Sequence, residues 1–183
     1  MPANVDVILT RSAQEFISAI TFRSLTHRKV ITDLFDAESE DPIEHIALAK
    51  NADMIVVAPA TANILAKMKY GFADDALTAT ILATTSPIVV APAMESNMWA
   101  NNATQENITT LIQRGVKFIG PVEGHLASGG SGYGRFESVD SIISGIQNIL
   151  EQTTDLKEKH IVISAGGTQE PIDAVRVITN RSS

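Results

Sequence analysis

The sequence predicts an α/β protein built on a doubly wound parallel sheet. Three observations carry this reading. Short runs rich in β-branched residues recur at Val5–Thr10, Met54–Ala58 and Ile88–Ala91. Each run closes at a polar turn or a proline, and helix-like sequence follows each turn. Near-continuous apolar strands alternating with helices suit parallel strands covered on both faces. The chain has 183 residues, of which 44% are hydrophobic, enough for one ordinary domain, or for one domain and a fragment of another.

The elements are expected in this order. Val5–Thr10 is the first strand, and the polar stretch Thr10-Arg11-Ser12 leads into a helix over Ala13–Ile17. Met54–Ala58 is the second strand, closed by Pro59, and a helix over Ala62–Met68 is stopped by Gly71. Ile88–Ala91 is the third, ended by Pro92. Thr104–Arg114 reads as a helix with Gly115 as its C-terminal cap, and Val116–Ile119 as a further strand. The stretch from Gly120 to Arg135 holds six glycines and reads as a loop. An amphipathic helix over Val139–Leu150 completes a domain of residues 1–150, and residues 151–158 read as a linker. Residues 159–183 carry a new strand, His160–Ala165, that enters the turn Gly166-Gly167, and read as the start of a second Rossmann-like domain. Nothing ahead of Val5 reads as a first strand-turn-helix unit with a phosphate-binding turn, so the first domain is expected to be incomplete at its N-terminus.

Composition narrows the chemistry. The chain contains no cysteine, which excludes disulfides, Cys-ligated zinc, iron-sulfur clusters and thiolate nucleophiles from its own residues, and no metal site is expected. A net charge of −7 without a Lys/Arg cluster argues against nucleic acid as a partner. No apolar run approaches the roughly 18 residues of a membrane span and no signal peptide is apparent, so a cytoplasmic protein without a membrane partner is expected.

Chemistry-bearing residues gather at strand ends: Pro59-Ala60-Thr61-Ala62-Asn63, Gly71-Phe72-Ala73-Asp74-Asp75, and Ala91-Pro92-Ala93-Met94-Glu95-Ser96-Asn97-Met98-Trp99. Proline ends the ladder there, and small residues leave room for a flat ligand against exposed backbone. Asn63 reads either as a donor to such a ligand or as a helix cap, and Met98-Trp99 either as a ligand wall or as core packing. Ser12 suits an anion site or an N-cap. His45, after Asp41-Pro42 at the start of a helix, suits acid-base work or a cap.

Together with His45-Ile46-Ala47-Leu48 and Leu126–Arg135, these ordered motifs closely resemble the flavin-containing cysteine decarboxylases of coenzyme A biosynthesis. In that family a phosphopantothenoylcysteine decarboxylase is joined to a phosphopantothenate–cysteine ligase. The resemblance runs from Val5 to Ser183, and the stretch Gly166–Asn180 is similar to the opening of the ligase half. It implies a flavodoxin-like fold and FMN as cofactor, with Ser12, Phe16, Pro59, Thr61, Ala62 and Asn63 in its binding. It implies phosphopantothenoylcysteine as substrate, with His45 acting on the carboxylate and the flavin near a subunit boundary. The 124–135 loop would close over substrate as a clamp, and Asn97, Met98, Gly129 and Arg135 fall in the substrate motifs. The family assembles as trimers or dodecamers, so a homo-oligomer is expected. Arg176 and Asn180 match ligase positions that contact the acyl-cytidylate, but the nucleotide site is incomplete here and no ligase activity is expected.

Two positions depart from the family pattern. Glu95 stands where the family carries an asparagine that binds the departing carboxylate, and an ionised glutamate there sets like charge against like. Ser128 stands where family members commonly carry a cysteine that protonates the enethiol intermediate, and a serine hydroxyl is a much weaker acid. These departures keep two other functions open: a noncatalytic flavoprotein or degraded fragment, and an enethiol-forming peptidyl-cysteine decarboxylase.

Overall fold

The computed structural model describes residues 3–35 and 44–151, together with the backbone of 169–171 and 177–179. The chain divides into a unit of residues 1–151 and one of 152–183.

In the first unit, β1 (Val7–Ile8) pairs in parallel with β2 (Val30–Ile31), and the Leu9 N–H extends the ladder to the Ile31 carbonyl at 2.8 Å. Between them lie α1 (Arg11–Gln14) and α2 (Ala19–Thr26). The predicted helix over Ala13–Ile17 is displaced. Thr10, whose hydroxyl accepts from the Ala13 N–H at 3.3 Å, caps α1 ahead of the expected start, so the chain leaves the helix before Phe16. Phe16 sits in the turn that follows, 91% exposed, rather than in a helix.

The core is built on the parallel order β3-β4-β5, from β3 (Ile55–Ala60), β4 (Ile88–Pro92) and β5 (Lys117–Phe118). Val89, Val90 and Ala91 of β4 are fully buried, as expected of a central strand covered on both faces. On β3 burial alternates: Ile55 and Val57 point inward, while Val56 and Ala58 are exposed. The parallel strands therefore form two ladders within the α/β architecture, and one face of β3 is open.

Helices cover the other face of the core. On α4 (Ala62–Tyr70), Ile64, Leu65 and Met68 pack with Ile108 and Leu111 of α7 (Asn102–Gln113) in one apolar cluster. Gly71 ends α4 at φ 71°, a conformation that favours glycine. Leu77 and Ile81 of α5 (Ala76–Ala83) pack against the same cluster, and α3 (Glu44–Asn51) packs against α5, joined by the Thr84 hydroxyl donating to the Ala49 carbonyl at 2.9 Å. The short α6 (Ser96–Ala100) follows β4. A last helix, α8, spans Val139–Leu150 as predicted, capped by Ser138.

The expected glycine loop is largely a β-hairpin. β6 (Val122–His125) pairs antiparallel with β7 (Ser131–Arg135), leaving only residues 126–130 as its tip. Gly129 turns the tip at φ 91°, whereas Gly132 and Gly134 are required by close approach. A Cβ on Gly132 would strike the Ser96 hydroxyl, and one on Gly134 would strike the Met94 carbonyl. The hairpin thus lies directly on the turn after β4.

In the second unit only a pair of antiparallel strands is described, β8 (Gln169–Pro171) with β9 (Val177–Thr179). The predicted strand over His160–Ala165, Arg176 and Asn180 lie outside the described residues. Among the described residues no helix is long and apolar enough to cross a membrane.

Candidate active site

Three chain segments meet at the carboxyl ends of β3 and β4, joined through their backbones. The Ala93 N–H donates to the Ala60 carbonyl at 3.1 Å, tying the two strand ends together. The Met94 N–H donates to the Gly134 carbonyl at 3.0 Å, tying the second strand end to the hairpin. Between that turn and the hairpin lies a cleft of about 420 Å³. Its walls are Ala93, Met94 and Glu95 on one side and His125–Ser128 with Gly134–Phe136 on the other. Ligands of open α/β sheets bind at this end of the strands.

Of the residues expected to meet substrate, the structure brings Glu95, Ser128 and Arg135 to this cleft. Asn97, Met98 and Gly129 do not line it. Asn97 and Met98 sit on α6, where the Asn97 N–H is taken by the Glu95 carboxylate at 2.6 Å. That bond caps α6 and fixes Glu95 in place as an acceptor. Trp99 packs against Tyr133 of the hairpin with ring centroids 5.7 Å apart and so braces it, while Met98 is exposed. Gly129 lies in the tip at φ 91°, and its N–H donates to the Leu126 carbonyl at 3.0 Å.

The residues assigned to the cofactor lie at strand ends too. Pro59, Thr61 and Asn63 are exposed around the β3–α4 turn, and Ala62 is half-buried. The cap of α4 is Thr61, whose hydroxyl accepts from the Ile64 N–H at 3.4 Å, which leaves the Asn63 amide free of capping duty. Ser12 is exposed in α1, and since Thr10 caps that helix the Ser12 hydroxyl has no capping role either. A second cleft of about 360 Å³ adjoins Thr10 and Arg11, bounded by residues 32–35 and 74–77.

His45 is half-buried in the first turn of α3, and its Nδ1 is shut off from solvent without a hydrogen-bond partner. It does not line the 420 Å³ cleft. Asp74 and Asp75, the carboxylates of a sequence motif, hold Lys67 at 2.8 and 3.1 Å. Burial pushes the Asp75 carboxyl up, but the N–H and hydroxyl of Thr78 and the Lys67 ammonium outweigh it, leaving Asp75 below the ordinary range. Asp75 caps α5 in a reciprocal box with Thr78, so this pair is explained by structure. Among the described residues no cluster of His, Asp and Glu could hold a metal ion.

His125, which the loop reading left without a role, also lines the cleft. It ends β6 with its backbone paired to Ser131, and it reaches the cleft only because the hairpin folds back on Met94 and Ser96. No local motif marks it.

The chain matches the Flavoprotein family over residues 1–151, and over residues 156–183 the family described as DNA/pantothenate metabolism flavoprotein C-terminal domain. It is 46% identical over 183 residues to the coenzyme A biosynthesis bifunctional protein of Bacillus subtilis, covering 99% of this chain and 45% of that one. The chain thus spans less than half the length of the curated relatives it matches. Among solved structures it is similar to a PPC decarboxylase variant complexed with pantothenoylaminoethenethiol, with a TM-score of 0.72 and 32% identity over 82% of this chain and 85% of that one. The FMN-dependent cysteine decarboxylase SpaF is similar at a TM-score of 0.65 and 34% identity, over 79% of each chain.

Proposed function

This chain belongs to the Flavoprotein family, and from that premise we propose that it carries out FMN-dependent decarboxylation of 4′-phosphopantothenoylcysteine to 4′-phosphopantetheine in coenzyme A biosynthesis. The observation that carries the proposal is the cleft that sets Glu95, His125, Ser128 and Arg135 together at the strand ends.

The residues present fit a flavin. Pro59, Thr61 and Asn63 are exposed at the end of β3, and the Asn63 amide and Ser12 hydroxyl are both free of capping duty. Pro59, Thr61, Ala62 and Asn63 would hold the ring system, and Ser12 its phosphate, with Phe16 beside it. When bound, the flavin supplies the electron sink that side chains lack for loss of carbon dioxide.

The chain's own residues orient the substrate. Arg135 offers a guanidinium to an anionic group of the substrate, and Leu126, Ala127 and Ser128 of the hairpin tip border the cleft, where the tip would close over bound substrate. Ser128 supplies a hydroxyl to the reacting end. His45 would act on the carboxylate from a neighbouring copy in a homotrimer or dodecamer.

Reconstitution tests this reading. Protein incubated with FMN should retain visible flavin absorbance after desalting and release carbon dioxide from 4′-phosphopantothenoylcysteine. A colourless protein, or a flavin-loaded one that releases no carbon dioxide, would overturn it.

A further inference from the structure

Loss of carbon dioxide from a carboxylate leaves its carbon one proton short, so a site that performs it needs an acid. The overall change is redox-neutral: the carbon–carbon bond breaks with its electron pair left on the substrate, and a carbon–hydrogen bond forms with a proton from the site. Four polar side chains line the cleft. The Arg135 guanidinium does not deprotonate in proteins. A serine hydroxyl such as that of Ser128 is far too weak an acid to release its proton on demand. The Glu95 carboxylate accepts the Asn97 N–H at 2.6 Å and serves as the cap of α6, an acceptor's role. The chain has no cysteine to serve instead.

His125 remains. We propose that the His125 imidazole delivers the proton to the decarboxylated carbon, a role that rests on the decarboxylase reading above. Its position suits the task. It is the last residue of β6, held by pairing with Ser131, and the tip beyond it is closed by the Leu126 N–H donating to the Gly130 carbonyl at 2.8 Å. The side chain lines the cleft and is exposed, so the neutral imidazole left after transfer is recharged from water. Arg135 and Glu95 share the cleft with it, and Glu123 and Tyr133 follow on the same face of the hairpin. An imidazole acid operates near neutrality, where the hydroxyl of Ser128 is inert.

The test uses FMN-loaded protein and 4′-phosphopantothenoylcysteine, with carbon dioxide and product mass read separately. In a single turnover, His125→Gln should still release carbon dioxide. It should form the saturated thiol 10²- to 10⁴-fold more slowly, roughly the span of general acid catalysis. The product should shift to the unsaturated thiol, lighter by the two hydrogens left with the cofactor. His125→Cys should restore the saturated product, because a thiol is again an acid of useful strength at that position. Independently of turnover, adding 4′-phosphopantetheine to loaded wild-type protein should shift the His125 ring resonances in an NMR titration. Unmoved resonances, or saturated thiol formed by His125→Gln at the wild-type rate, would overturn the role of His125 while leaving the decarboxylase standing. No carbon dioxide from wild-type protein would overturn both.

Discussion

Met94 and Gly134 grip each other through their backbones. The Met94 N–H donates to the Gly134 carbonyl at 3.0 Å, and the Met94 carbonyl occupies the space where a side chain at position 134 would begin. With Gly134 at φ 141°, this is a joint that only glycine fills without strain. It holds the hairpin over the end of β4 and so forms both walls of the cleft.

Gly134→Ala should therefore cost about 1–3 kcal/mol in backbone strain alone, with the clash against Met94 added. Urea denaturation should report that loss. Product binding should weaken further, because the hairpin must lift away from the turn. Wild-type stability in this variant would mean that the joint is loose.

How far the residues announce this arrangement differs from element to element. β4 and α8 were legible, since Val89-Val90-Ala91 is apolar without interruption and Ser138 opens a strongly amphipathic stretch. α5 was not, because Ala76–Ala83 is apolar nearly all round and offers no helical period. The hairpin was hidden by its own glycines, since Gly132 and Gly134 read as turn signals when their purpose is close approach to Ser96 and Met94. Ser12 was the obvious hydroxyl at the end of β1, yet Thr10 caps the helix, a choice of register that local pattern does not decide. His125 enters the site by way of that hairpin, so no reading of neighbours along the chain finds it.

Asp75 links stability to pH. Its carboxyl lies below the ordinary value, so its contribution is fully present above an unfolded pKa of about 3.9 and is lost as pH falls through the lower folded value. Asp75→Ala should cost about 1 kcal/mol at pH 7 through loss of the α5 cap. The deficit relative to wild type should shrink below about pH 4. Lys67, whose ammonium is stabilised first by Asp74 and then by Asp75, adds little because the cluster is largely exposed. A deficit that is unchanged at acid pH would show that the cap acts without its charge.

His45→Asn should reduce carbon dioxide release by at least about 10²-fold if the imidazole acts on the carboxylate. The visible flavin bands and the thermal midpoint should stay close to wild type, because the shut-off Nδ1 makes no hydrogen bond that the fold would miss. Unchanged turnover would remove His45 from the chemistry. Joint loss of flavin and fold would assign it to packing in α3.

Glu95 offers the clearest separation of charge from structure. Its carboxylate caps α6 through Asn97 and also lines the cleft, where on the proposed reading it would oppose an incoming carboxylate. Asparagine caps helices as well as glutamate's shorter homologue does, so Glu95→Asn removes the charge while leaving an acceptor for α6. At an effective dielectric of about 20, like charges about 4 Å apart cost up to about 4 kcal/mol. The cleft is open to solvent and Arg135 lies in it, so a fraction of that is expected, about 1.4 kcal/mol or a tenfold fall in KM. Glu95→Asp keeps the charge and a capping side chain, and its KM should stay near wild type. Salt supplies the independent check. Raising ionic strength should lower KM for wild-type protein by screening the repulsion, and lower it less for Glu95→Asn. If the two respond alike, Glu95 does not face the substrate carboxylate and serves α6 alone.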